Sequence, residues 1–377
     1  MSRKPVLVSV ATLIVAAALW FVPDLQPVFD WPIFYLLFMY AVFFWVAQAS
    51  SWNLFTGFSG YFSFGQGAFY GVGVYAVGVL ASKQGWPLLP SIVAGGVAAA
   101  VLGLFIGLVV FRLRKLRGEI FALMTLAVAF VMGALARVSS TIDGGQGIRI
   151  SGIELPEILG DFQSMIFRLG LIAAALAVIT AQLVQHSRLG WGLFAIRDDE
   201  DVAETLGVPT FRFKMIALGL STFLAGLSGA VNSLQISYVT IEDVFNIRVP
   251  LLVILMSILG GTRHWAGPIV GALVVYTLND RLNRAGLEDF SDLIVGALLI
   301  LMIVAVKEGL YLRMRERPWM TLIGAGLGLV FGLVVGVEGS AVTMLAYILL
   351  GAVVAVMLPR RRRAPVPSEP DREEAHV

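Results

Sequence analysis

Gln185-His-Ser-Arg-Leu-Gly-Trp-Gly-Leu-Phe-Ala-Ile-Arg-Asp-Asp-Glu-Asp-Val-Ala-Glu-Thr-Leu-Gly-Val-Pro-Thr-Phe-Arg212 lies between two long apolar segments and carries more charge than hydrocarbon accepts. Residues 197–206 predict a short helix, with Gly207 placed as its C′ residue and Pro209 barring continuation. At helical spacing Ile196, Val202, Ala203 and Leu206 share one face, while Asp198, Asp199, Asp201 and Glu204 point elsewhere. Two readings stand side by side. The stretch is a solvated connector between spans, or an amphipathic element on a membrane surface that docks another protein.

The composition sets the surroundings. Of 377 residues, 58% are hydrophobic and 14% charged, and the mean hydropathy is +0.86. A soluble globular chain carries about 25% charged residues, so this is an all-α polytopic membrane protein. The chain has no cysteine, which excludes disulfides and thiolate metal sites. His186, His264 and His376 are too scattered for a zinc cluster or a histidine-based triad. No cofactor and no nucleic-acid partner is expected. The 40 glycines suit closely packed membrane helices.

Apolar runs predict twelve spans, near residues 6–22, 33–52, 67–82, 88–111, 118–137, 164–184, 213–234, 249–260, 266–278, 293–312, 319–337 and 341–358. An Ala16-x-Ala18 site resembles a cleavage signal, but the run continues through Trp20 and Phe21, so the first helix is read as retained. With the amino terminus inside, the even-numbered connections hold Arg112 to Arg117, Arg188, Arg197, Arg212, Lys214, Arg263 and Arg313 to Arg317. The tail with Arg360 to Arg363 also falls inside, giving an N-in/C-in arrangement. The connection after the second span is the exception, because it carries no charge.

That uncharged connection belongs to a glycine-rich stretch, Asn53-Leu-Phe-Thr-Gly57-Phe-Ser-Gly60-Tyr-Phe-Ser63-Phe-Gly65-Gln66-Gly67, which runs on to Gly73. Each glycine inside a helix costs about 1 kcal/mol relative to alanine, so the stretch predicts non-helical backbone. At membrane depth such backbone survives only when packed in protein or lining a wet cavity. One reading makes it a translocation-pathway segment of Asn53, Gly57, Ser59, Gly60, Ser63, Gly65, Gln66 and Gly67; the other makes it tight packing by small residues. Gly60, Gly67, Gly71 and Tyr75 recur as Gly260, Gly267, Gly271 and Tyr276, a faint parallel repeat. Glu119 and Asp280 fall near span ends and no carboxylate is placed at mid-depth, which argues against ion-driven transport. Gly-Lys never occurs, so the chain has no phosphate loop of its own. Active transport would need a separate motor with an inside docking surface.

Several of these motifs together resemble the LivM-type permease subunits of bacterial branched-chain amino-acid ABC importers. They are Asn53-Leu-x-x-Gly57-x-x-Gly60-x-x-Ser63-x-Gly65-x-x-Ala68-Phe69-x-Gly71-x-Gly73-x-Tyr75, Leu113-Arg-Lys-Leu-Arg-Gly118, Gly144-Gly-x-x-Gly-Ile148, Gly190-x-x-Leu193-x-Ala195-Ile196-Arg197-x-Asp199-Glu200-x-x-Ala203-Glu204-x-Leu206-Gly207 and Gly260-Gly261-x-x-x-x-Trp265-x-Gly267-Pro268-x-x-Gly271. The resemblance implies a multi-pass subunit of the bacterial inner membrane that is not itself an enzyme. Its implied partners are a second, LivH-like permease, two cytoplasmic ATPases and an extracytoplasmic substrate-binding protein. It makes Arg197, Asp199, Glu200, Ala203, Glu204, Leu206 and Gly207 a coupling helix in an ATPase groove. Asp201 and Val202 depart from the family, which commonly has an apolar residue and alanine there.

The expected organisation is a first helix and outside turn over 1–32, and a permease core of ten spans with the first helix, its LivM-like part being 33–312 and holding the coupling loop 185–212. An added hairpin over 313–358 and a cytoplasmic polar tail over 359–377 follow. The expected function is translocation of branched-chain amino acids or a related small solute, powered by the partner ATPase. The alternative is a secondary carrier or channel for a small polar solute such as urea or a short amide.

Overall fold

The computed structural model describes residues 3–112, 118–142, 144–151, 153, 156–284, 286, 293, 296–297, 309–334, 344, 347–349, 351–353 and 355. In chain order the helices are α1 (Arg3–Trp20), α2 (Val22–Phe29), α3 (Phe34–Trp52), α4 (Gln66–Val77), α5 (Leu88–Val110), α6 (Gly118–Val138), α7 (Phe162–Gln185), α8 (Arg188–Asp198), α9 (Glu200–Thr205), α10 (Thr210–Ile236), α11 (Ile241–Val244), α12 (Arg248–Gly260), α13 (Gly267–Arg284), α14 (Leu310–Glu316) and α15 (Pro318–Val334). Wide π-turns extend α3 through Asn53–Gly57 and α4 through Gly78–Lys83. A two-residue ribbon pairs β1 (Ile148–Arg149) antiparallel to β2 (Tyr238–Val239), with Ile148 opposite Val239.

Among the described residues, seven helices are long and apolar enough to cross a membrane: Leu7–Phe29, Phe34–Gly57, Leu88–Val110, Ile120–Val138, Phe162–Gln185, Thr210–Ile236 and Ile241–Gly260. The third, ninth and eleventh expected spans are helical as α4, α13 and α15 without being counted there. Most of the tenth and twelfth expected spans lies outside the described residues, as do Arg114 to Arg117, Asp143, Glu154 and the tail. The first span runs past its expected end. Pro23 falls at the start of α2, where a missing N–H costs nothing, so the helix turns on to Phe29 and stops at Asp30 in the left-handed region.

Helix α10 is the hub, packed chiefly against α5 and α4 and then α3 and α7. Its closest approaches need glycine. A Cβ on Gly73 of α4 would lie 1.9 Å from the Gly226 carbonyl oxygen, and one on Gly229 would lie 2.3 Å from that of Tyr70. The repeat glycines do the same between α12 and α13, where a Cβ on Gly271 would lie 1.7 Å from the Met256 carbonyl oxygen. Small-residue contact of this kind replaces the hydrophobic drive that lipid removes. A similar approach, a Gly324 Cβ position 2.3 Å from the Gly351 carbonyl oxygen, sets the helical residues near 351 against α15.

Among the described residues, contacts between connections gather at two ends of the bundle. At one end the α3–α4 connection, the α7–α10 connection and the α12–α13 turn meet. Asn53 Nδ2 donates to His264 O at 3.4 Å, Trp265 N–H to Gln185 Oε1 at 2.7 Å, and the His264 and Tyr311 rings stack at 4.4 Å. At the other end Arg168 holds both carboxylate oxygens of Asp24 at 2.7 Å and the Leu159 carbonyl at 2.9 Å, pinning α2 to α7. There too Arg284 covers the Phe34 ring at 3.8 Å, Arg137 pairs with Glu242 at 2.6 Å, and β1 meets β2.

Replacing Gly271 by alanine must push α12 off α13, and we expect a loss of about 1–3 kcal/mol or more, as overpacking brings. Gly326→Ala on α15, where a Cβ meets nothing within 4 Å, should be neutral or stabilise by up to ~1 kcal/mol. Thermal unfolding of the detergent-solubilised chain reads the contrast. Equal behaviour of the two variants would remove the close-approach account.

Candidate functional site

The charged stretch folds as two helices where one was expected. Ser187 caps α8, accepting from Gly190 N–H at 3.3 Å. The helix ends at Asp198 because Asp199 leaves it for an extended conformation (φ −161°, ψ 114°) and caps the next one, its Oδ1 accepting from Val202 N–H at 3.0 Å. Asp199 is a cap former three residues before an orphan N–H, and that local bond beats continuation. Glu200 and Asp201 then favour the positive end of α9. At the far end Gly207 takes φ +84°, Val208 N–H bonds Ala203 O and Gly207 N–H bonds Glu204 O, each at 3.0 Å. This pair of bonds is a Schellman closure, as Gly207 before Pro209 predicts.

The break redistributes the apolar residues. Ile196 and Ala203 are buried, whereas Val202 is 53% exposed and Leu206 79%, with Trp191 72% exposed nearby. The expected single apolar face over Ile196, Val202, Ala203 and Leu206 is therefore corrected. Two of its members anchor the helices to the bundle and two face away.

Two cations latch this unit to the rest of the chain. Arg197 Nη1 donates to the Gly57 carbonyl oxygen, and Nη2 reaches Thr262 Oγ1 at 3.4 Å. One guanidinium thus joins the end of the α3 π-turn to the α12–α13 turn. Gly60, at φ +76°, lies against it, a Cβ there falling 3.0 Å from Arg197 Cγ. Burial, then the nearby Arg263 charge, lowers the Arg197 pKa, with Asp198 opposing. The second latch is Lys214, whose Nζ holds Glu200 Oε1 at 2.5 Å and Tyr61 OH at 3.2 Å. Tyr61 OH in turn donates to Glu200 Oε2, and the ammonium sits 4.6 Å from the Tyr61 ring and 4.9 Å from that of Phe111. Around them His264 accepts from Ala266 N–H at its Nδ1 (3.1 Å); burial first, then Arg315 and His186, push its pKa down to about 4, so the ring is neutral near pH 7.

Arg197, Asp199 and Glu200 therefore bind the chain's own backbone and side chains, while Leu206 faces outward. Lys214 and Tyr61 were not singled out by sequence reasoning. A lysine in the first turns of α10 is the signal in the sequence that points to this latch.

The glycine-rich stretch differs from expectation in extent. Helix persists as a π-turn to Gly57, the backbone is irregular between 60 and 65, and α4 starts at Gln66, so Gly67 to Gly73 are helical. Gln66 Nε2 donates to Gln48 Oε1 at 2.6 Å and Ser51 Oγ at 2.9 Å, well back along α3 from Gly57. Phe64 N–H reaches Thr125 Oγ1 at 3.1 Å, seven residues into α6. The irregular segment thus descends from the bundle end, and α4 is a half-helix that begins inside. Ser59 Oγ donates to Phe55 O at 2.7 Å, Ser63 Oγ accepts from Gly65 N–H at 3.2 Å, and Ser63 O accepts from Trp52 Nε1 at 2.8 Å. Asn53, Gly57, Ser59, Ser63, Gly65, Gln66 and Gly67 are buried, and Asn53 Oδ1 and Thr56 Oγ1 have no hydrogen-bond partner. A Cβ on Gly57 would lie 1.9 Å from Asn53 Oδ1 and 2.6 Å from Thr262 O.

Residues 33–303 match the family described as branched-chain amino acid transport system, permease component. The high-affinity branched-chain amino acid transport system permease protein LivM of Escherichia coli K12 is 26% identical over 287 residues, covering 68% of this chain and 65% of that protein. A probable branched-chain amino acid transport permease protein LivH of Methanocaldococcus jannaschii is 25% identical over 222 residues, covering 56% of this chain and 69% of that one. The ribose import permease protein RbsC of Bacillus subtilis is 28% identical over 135 residues, 35% of this chain and 42% of its own. This chain thus spans just under two thirds of the length of the LivM proteins it matches, and no solved structure matches it. With the family model covering well over half of the chain, and apolar helices long enough to span, this protein belongs to the permease-component family of branched-chain amino acid transport systems and is a multi-pass inner-membrane protein.

Proposed function

We propose that the chain is the permease subunit of an ABC importer for branched-chain amino acids or a related small solute, driven by a separate ATPase. The observation that carries this reading is the α8–α9 unit. Its apolar residues Val202, Leu206 and Trp191 face outward, while Arg197 and Glu200 bind it to both glycine turns. A solvated connector needs no such anchoring. A surface that must receive force and deliver it does.

In this reading the end bearing Arg197, Arg263 and Lys214 faces the cytoplasm, giving N-in/C-in, with ten core spans, a hairpin over 313–358 and a cytoplasmic tail over 359–377. Two ATPases, a LivH-like second permease and an extracytoplasmic binding protein complete the importer. Nucleotide-driven motion of an ATPase moves α8–α9. The two latches carry that motion to the turns near 60 and 262, and the packed segment Asn53 to Gly67 opens as part of the pathway. Coupling is a difference in contacts between two states, and the contacts at stake are the Arg197 fork and the Lys214–Glu200–Tyr61 triad. The rival reading, a secondary carrier or channel for a small polar solute such as urea or a short amide, requires no outward apolar face on a latched unit.

Docking and transmission separate experimentally. Val202→Glu and Leu206→Glu should weaken ATPase copurification by on the order of 2 kcal/mol, roughly thirtyfold, with membrane insertion unchanged. Arg197→Gln, and the charge-balanced double variant Lys214→Met with Glu200→Gln, should copurify normally yet lose about tenfold or more of ATP-dependent uptake in proteoliposomes. Wild-type copurification together with wild-type uptake in all these variants would sink the docking account. Gradient-driven uptake of a small polar solute by this chain alone, indifferent to ATP, would establish the rival.

A further inference from the structure

Where α4 begins, one buried glutamine ties three helices together. Gln48 lies within the membrane-spanning stretch Phe34–Gly57 and is 0% exposed. Its Nε2 donates to Ser228 Oγ at 2.9 Å and to the Ala225 carbonyl oxygen at 3.2 Å, both on α10. Its Oε1 accepts at 2.6 Å from Nε2 of Gln66, the first residue of α4. Lipid offers no replacement for these bonds, so the surrounding protein has to satisfy a side chain of this kind.

The Gln66 nitrogen has acceptors to spare. An amide nitrogen carries two hydrogens, and this one faces Gln48 Oε1, Ser51 Oγ at 2.9 Å and the Gln48 carbonyl oxygen at 3.2 Å. Releasing Gln48 Oε1 therefore still leaves an oxygen for each hydrogen. One turn further along α4 there is no such choice. Tyr70 OH accepts from Asn232 Nδ2 at 2.9 Å, and Asn232 Oδ1 accepts from Tyr40 OH at 2.8 Å. There too Gly73 and Gly229 bring α4 and α10 backbone to backbone. Between Gln66 and Phe69, Gln66 has the single polar side chain. The first turn of α4 is thus joined by an exchangeable bond, while the turns after it are pinned. The irregular backbone between 60 and 65 enters the helix through that first turn.

We propose that Gln48 is a positioning residue for transport. It seats the first turn of α4, and with it the segment in which Ser63 and Gly65 are buried; opening that segment requires Gln66 to exchange Gln48 Oε1 for its other acceptors. The proposal rests on the reading of the chain as an ATP-driven permease and adds the joint at which the packed segment yields. Polar bonds between membrane helices contribute modestly, which suits a contact broken and remade in every cycle.

The chain has no cysteine, so a single introduced thiol can report on the segment. Ser63→Cys is the reference, and Phe64→Cys replaces it should it fail to assemble. Membrane vesicles holding the whole importer are treated with 2-aminoethyl methanethiosulfonate, and labelling of this chain is timed with and without Mg-ATP. In the reference, labelling without nucleotide should be slow and ATP should speed it about tenfold. Gln48→Met and Gln66→Met should each raise the nucleotide-free rate about tenfold and abolish the response to ATP. Leucine at either position serves where methionine does not assemble. The double variant should go no further than either single one, since both remove the same contact. Tyr40→Phe deletes another bond between α3 and α10, and should leave the rate within about twofold and the ATP response intact. Three results overturn the proposal: an unchanged nucleotide-free rate in the methionine variants, effects that add in the double variant, or an equal rise in Tyr40→Phe. ATP-dependent leucine uptake by the reference vesicles keeps the two readings apart. Uptake with the wrong labelling pattern refutes the Gln48 joint alone, and absent uptake refutes the permease reading beneath it.

Discussion

One guanidinium closes this end of the bundle. Arg197 reaches the carbonyl of Gly57 with one nitrogen and the hydroxyl of Thr262 with another, so two turns far apart in sequence share a single donor. A planar fork presents several fixed donors, which suits it to two acceptors held in place. The glycines around it are small because the fork must fit. Gly57 leaves room for Asn53 and Thr262, and Gly60 leaves room for the stem of Arg197 itself. Together with the Lys214 latch, that contact ties α8–α9 to both turns.

Beside it, the Lys214–Glu200 pair shows why charge is tolerated so close to apolar walls. A buried ion pair gives back little net stability, since desolvation consumes most of the attraction. What it supplies is geometry. Lys214 is closed over by the Tyr61 and Phe111 rings, Glu200 accepts from both the ammonium and the phenol, and α9 is thereby fixed against α10. The neutral His264, stacked on Tyr311 in the next turn, completes a cytoplasm-proposed face in which polar groups are spent on position.

Much of this was legible in the residues. Apolar length located α3, α5, α6, α7 and α10 to within a few residues, and Gly207 before Pro209 specified the end of α9. The division at Asp199 was not read, because a capping aspartate among four acidic residues looks like more of the same charge. The β1–β2 ribbon joins residues about ninety apart and leaves no local trace.

The glycine contact between α12 and α13 has a mechanical side. Where side chains separate two helices, a displacement of one is partly absorbed as rotamers shift. Here a Cβ on Gly260, Gly267 or Gly271 would lie within 2 Å of a backbone carbonyl oxygen, so the two backbones touch directly and little intervening matter can yield. Next to their turn the two helices are keyed backbone to backbone. A displacement imposed at the turn therefore moves the first turns of both helices together, as one body.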